Sequence, residues 1–192
     1  QENTVLGYGA LSSDDVGNHT VAIGHGALFS QNYATSTDSN NTAVGWNSGN
    51  ALTTGISNTI VGGRAGDALT DADFNVAIGM DALTADTLGS TSTAIGLGTL
   101  STQNFTTATN TFNTAVGFQA GLSVTTGVQN TLIGALAGDA ITDADFNVAV
   151  GYLSLSGETL GSKSVAIGQT ALRNQNFTTA TEVFNTAVGH SA

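Results

Sequence analysis

The chain has 192 residues, enough for one ordinary domain with a sizeable core. Only 9% of residues are charged, against about 25% in an average domain, and no apolar run approaches the roughly 18 residues that a membrane span needs. Three basic residues against fourteen acidic ones give a net charge of −11; this argues against nucleic-acid binding and membrane insertion, and the absence of cysteine removes disulfides and thiolate metal sites.

A phrase close to Asn-Thr-Ala-Val-Gly recurs from one end of the chain to the other. In chain order its glycines are Gly7, Gly24, Gly45, Gly62, Gly79, Gly96, Gly117, Gly134, Gly151, Gly168 and Gly189. The intervals are 17, 21, 17, 17, 17, 21, 17, 17, 17 and 21 residues, so every fourth rung is long. The sum is a super-repeat of 72 residues, with two copies at 45–116 and 117–188. Periods of this size signal repeat architectures.

Before each glycine the sequence alternates with period two, as in Asn41-Thr42-Ala43-Val44, which predicts a short strand with Thr and Val on one face and Asn and Ala on the other. The glycine permits a bend, and segments such as Thr53-Thr54-Gly55 and Asp71-Ala72-Asp73 read as turns. Four residues beyond the glycine stands either Leu (Leu11, Leu28, Leu83, Leu100, Leu155, Leu172) or Gly (Gly49, Gly66, Gly121, Gly138). Rungs with Gly there carry Leu52, Leu69, Val124 or Ile141 three positions on, the compensation expected of a filled interior. No stretch has a helical period. The expectation is all-β: one parallel β-solenoid spanning 1–192, of about eleven rungs built as strand, bend, short strand and turn. At about 4.8 Å per rung its ten steps make a rod on the order of 48 Å long.

Stacking would align Asn3, Asn41, Asn58, Asn75, Asn113, Asn130, Asn147 and Asn185 in a structural ladder of side-chain amides, with Thr20, Ser92 and Ser164 as its exceptions. It would also align Val44, Val61, Ile78, Ile95, Val116, Ile133, Val150 and Ile167, expected as a buried column. The strand is apolar or small on both faces, so one face should line the core and the other meet a partner chain. Because small side chains bury little area, assembly is expected to be required for folding. With no leader at Gln1 and no terminal cap, the chain is expected to be a section of a longer fibre.

The phrases Thr20-Val21-Ala22-Ile23-Gly24, Asn75-Val76-Ala77-Ile78-Gly79 and Ser164-Val165-Ala166-Ile167-Gly168 resemble the head repeats of trimeric autotransporter adhesins of the YadA-like kind. Asn113-Thr114-Ala115-Val116-Gly117-Phe118-Gln119-Ala120-Gly121 looks like repeats of bacteriophage tail fibres and bacterial surface fibres. The resemblance implies a left-handed parallel β-roll, a homotrimer displayed outside the cell or virion, and attachment as its role. These rungs are longer than the adhesin repeat of near fourteen residues, and the resemblance supplies no catalytic residue.

Candidate sites are few. Asp71, Asp73 and Asn75, with their repeats Asp143, Asp145 and Asn147, place oxygens two apart as a calcium loop does. The loop's glycine and distal Glu are missing, so a solvated turn is preferred and calcium is the alternative; no other cofactor or metal site is expected. The residue after each key glycine varies, and Tyr8, Trp46, Phe118 and Tyr152 offer stacking surfaces to a glycan or, as the blander reading, packing surfaces to a neighbour. His19, His25 and His190 have no ligand spacing, and no unique Ser, His and Asp constellation occurs, so catalysis is not expected. The insertions at 32–40, 104–112 and 176–184 would project from one edge as binding loops, or clamp subunits together with Phe112 and Phe184 buried. The reading is an extracellular, trimeric attachment fibre with a cell-surface glycan or protein receptor. The alternatives are a purely structural filament and an ice-binding solenoid with a column at Thr4, Thr42, Thr59, Thr114, Thr131 and Thr186.

Overall fold

The computed structural model describes residues 2–192, which contain strands, turns and no helix. In chain order the strands are β1 (Thr4–Leu6), β2 (Gly17–Asn18), β3 (Val21–Ile23), β4 (Thr37–Asp38), β5 (Thr42–Val44), β6 (Thr59–Val61), β7 (Val76–Ile78), β8 (Gly89–Ser90) and β9 (Thr93–Ile95). They continue as β10 (Thr109–Asn110), β11 (Thr114–Val116), β12 (Thr131–Ile133), β13 (Val148–Val150), β14 (Gly161–Ser162), β15 (Val165–Ile167), β16 (Thr181–Glu182) and β17 (Thr186–Val188). The eleven three-residue strands form one sheet in the order β1-β3-β5-β6-β7-β9-β11-β12-β13-β15-β17. Every pairing in it is parallel and joins equivalent residues, for example Val44 with Val61 and Ala115 with Leu132. The chain is therefore a parallel β-solenoid of eleven rungs.

The second short strand expected in each rung forms only where a long rung follows a short one. Those pairs are β2 with β4, β8 with β10 and β14 with β16. Elsewhere the residues after the key glycine run through successive turns, closed by bonds such as Ala65 N–H to Gly62 O (3.3 Å) and Leu69 N–H to Gly66 O (3.2 Å).

The face assignment needs a correction. The column expected to be buried, Val44 to Ile167, does stack in register but points outward: Ile133 and Ile167 are each 39% exposed, and the others are only half-buried. In nine of the eleven three-residue strands the middle residue faces inward instead. Ala22, Ala43, Ile60, Ala77, Ala94, Ala115, Leu132, Ala149 and Ala166 are fully buried. The physical reason is room. Leu28, Leu83, Leu100 and Leu155 from the turns fill the narrow interior, so the strand can add only a methyl group. Where two successive turns hold Gly, the strand between them swells. A Cβ on Gly49 would lie 3.0 Å from Ile60 Cδ1, and one on Gly121 would lie 2.8 Å from Leu132 Cδ1.

Each rung thus closes its own apolar core, and the wide outer face of the sheet is left bare. The area argument for obligatory assembly loses weight accordingly, because leucine-sized side chains, each contributing about 1.5–3 kcal/mol when buried, lie inside a single chain.

Candidate functional site

The asparagine column is a set of staples. Asn58 Oδ1 accepts from the backbone N–H of Asn75 (2.9 Å), and Asn58 Nδ2 donates to the Ala72 carbonyl (2.9 Å). Asn130 repeats both bonds, to Asn147 N–H (3.0 Å) and Ala144 O (2.8 Å), and Asn3, Asn41, Asn75, Asn113 and Asn147 do likewise. The expected amide-to-amide ladder is replaced by side chain to backbone bonds; the Asn58–Asn41 contact at 3.2 Å is the amide pair that does form. Asn185 is exposed and donates to Gln175 (2.7 Å).

At the exceptions Thr20, Ser92 and Ser164 a buried polar knot takes over, which sequence reasoning missed. Gln103 Nε2 donates to Asp86 Oδ2 (2.6 Å) and Ser92 Oγ (2.9 Å), while its carbonyl accepts from Asn113 Nδ2 (2.8 Å). Asp86 Oδ1 accepts from Gly89 and Phe105 N–H (both 3.0 Å). Gln31 with Asp14 and Gln175 with Glu158 build the same knot. Its signal was available: an acid and a Gln seventeen apart at all three long rungs. In the first knot burial pushes the Tyr33 phenol up to about 12 while its hydroxyl donates to Gly55 O (2.8 Å).

The calcium candidates have other occupations. Asp73 Oδ1 accepts from Ile56 N–H (2.8 Å), Asp145 Oδ1 from Val128 N–H (2.7 Å), and Asp71 and Asp143 accept from Thr54 and Thr126. Asn75 and Asn147 are buried staples. Among the described residues no group of three His, Asp or Glu side chains is arranged to hold a metal ion. His19 lies between Glu2 (3.3 Å) and Asp38 (3.4 Å).

Two exposed aromatic columns flank the bare sheet face. After the glycines stand Tyr8, Trp46, Phe118 and Tyr152, joined by Met80 and Leu97 and all exposed. Tyr8 stacks on His25 (5.4 Å, 26°) beside a shallow hollow of about 230 Å³ lined by Phe29, Asn47 and Asn50. Just before the strands stand Phe74, Phe112, Phe146 and Phe184, all about half exposed or more. The insertions anchor through Tyr33 and Phe105, whereas Phe112 and Phe184, considered above as buried clamps, point out of the single chain. No family model matches this chain, nor does any curated protein or solved structure.

Proposed function

We propose that this chain is a segment of an extracellular attachment fibre that assembles as a parallel homotrimer. One observation carries the reading. The outward positions of the eleven strands hold only Thr, Val, Ile and Leu, without a single charge, on a molecule of net charge −11. A contiguous uncharged face of this length, apolar along its Val/Ile column and free of repulsion, is the mark of a buried contact. A second copy running parallel matches its rung spacing at every step, and cyclic symmetry lets each face be covered without growth into a sheet. The resemblance to adhesin heads and tail fibres points the same way. In the assembly the flanking aromatics meet either a neighbouring subunit or a receptor, a cell-surface glycan or a protein.

Sedimentation and light scattering test the reading. A mass three times that of the chain, with unfolding that shifts to higher temperature at higher concentration, is expected of a linked assembly. A folded monomer at micromolar concentration would refute it. The two other functions then separate: thermal hysteresis would mark an ice-binding face, and its absence a spacer filament.

A further inference from the structure

We propose that the cleft between Phe74 and Phe112 binds a quaternary ammonium group. The duplication supplies the comparison. In the second copy Lys163 Nζ sits 5.9 Å from the Phe146 ring centre and 5.2 Å from that of Phe184, and it pairs with Glu182. Two aromatic faces within about 6 Å of one cation is a cation–π arrangement. In the first copy the rings remain as Phe74 and Phe112, but Thr91 replaces the lysine and Asn110 the glutamate. The cation and its counter-ion are lost together and the aromatic walls are kept.

The backbones of the two clefts agree closely. Phe74 and Phe146 both have φ 59°, Thr91 and Lys163 have 65° and 66°, and Phe112 and Phe184 have 51° and 54°. Thr91 N–H donates to Asp73 O, and Lys163 N–H to Asp145 O, each at 3.0 Å. The Asn110↔Ser90 register matches Ser162↔Glu182. The rings in the first copy therefore stand two rungs apart, about 10 Å, with the Thr91 hydroxyl turned back onto the Ser90 carbonyl. Thr91, which stands where Lys163 does, also takes the Phe112 N–H on its hydroxyl (3.4 Å) and is too short to hold a cation between the rings. Phe is also a costly choice here, since a bulky residue in the left-handed region is strained, whereas Asn40 and Ser57 occupy the same column in the same conformation at less cost.

The chemistry selects the ligand. A primary ammonium has three protons to satisfy, and Lys163 uses the Glu182 carboxylate; with Asn110 in that place the acceptor is weaker. A trimethylammonium head has no proton to donate and is held by ring faces. The surrounding charge favours any cation, because Asp73 stands where Asp145 lines the second cleft, beside Phe146 and Lys163. The inference rests on the reading in which this aromatic flank faces outward from the assembly and is not covered by a neighbouring subunit.

Titration of the whole chain with choline and with tetramethylammonium, followed by calorimetry and NMR at constant ionic strength, is the test. Saturable binding on the order of millimolar is expected, with methylammonium clearly weaker. Thr91→Lys combined with Asn110→Glu, which copies the second cleft, should weaken binding by roughly tenfold or more while the melting temperature holds. Phe112→Leu, an exposed change, should do the same by removing one wall. No saturable binding by the parent chain would overturn the proposal, as would binding unchanged in either variant or methylammonium binding as tightly as tetramethylammonium.

Discussion

Gly79 and Gly63 carry the same side chain under opposite constraints. Gly79 has φ +131°, and a Cβ there would lie 2.5 Å from the Gly96 carbonyl oxygen of the next rung, so both strain and collision oppose any side chain. Gly63 has nothing within 4 Å of its would-be Cβ. Gly79→Ala should cost about 3 kcal/mol or more, and Gly63→Ala should be neutral or stabilising by about 0.4–1 kcal/mol; urea melts distinguish them directly. Asp139 gives a second contrast. Burial raises its carboxyl above the ordinary value, and its Oδ1 has no partner, whereas the equivalent Asp67 accepts from the Thr84 hydroxyl. A raised folded value means that this group's stability is fully present below the unfolded value of about 3.9 and is lost as pH rises through the folded one. Asp139→Asn should therefore raise the melting temperature at neutral pH, and the gain should vanish near pH 3.5. Equal gain at both pH values would show that the carboxylate costs nothing where it lies.

A rung is held to the next by its strand, its glycine contact and its staple, and the staple can be removed alone. Asn130→Ala orphans the Asn147 N–H and the Ala144 carbonyl, both deep in the stack. The loss should be about 1–3 kcal/mol, seen as a lower urea midpoint with an unchanged slope; an unchanged midpoint would mean that water replaces the amide. At this scale much was legible from spacing alone. Strand position, parallel register and the key glycines follow from the 17- and 21-residue intervals, because a repeat that stacks on itself leaves no other register. The inward face was not legible from alternation, which separates two faces without ranking them. The signal that ranks them is covariation. Ile60 and Leu132 interrupt the Ala column in the rungs that open a Gly at positions 66 and 138, so that column shares the interior with the turn. Phe74 escaped notice, and Phe112 was considered only as a buried clamp, because an αL position beside a strand leaves no trace in hydropathy.

At the scale of the whole molecule the decisive comparison is between two neighbours on β11. Ala115 is fully buried in the chain's own core, and Val116 is half-buried on the bare outer face. An Asp at 115 would bring an unpaired carboxylate into an apolar interior, which costs several kcal/mol in practice. Ala115→Asp should therefore unfold the rung, with loss of the strand signature in circular dichroism whatever the protein concentration. An Asp at 116 meets water in the single chain, so the core stays closed. In a parallel homotrimer three such carboxylates would converge on the axis, where like charges in a dry contact repel strongly. Val116→Asp should keep its β-sheet spectrum yet sediment as a monomer, and its melting should lose the concentration dependence expected of the parent. The pair separates the role that Ala115 performs, filling the core, from the one proposed for Val116, meeting a partner. If the parent sedimented as a trimer and Val116→Asp kept that mass, the bare face could not be the contact, and the aromatic flanks would be the remaining candidate for it.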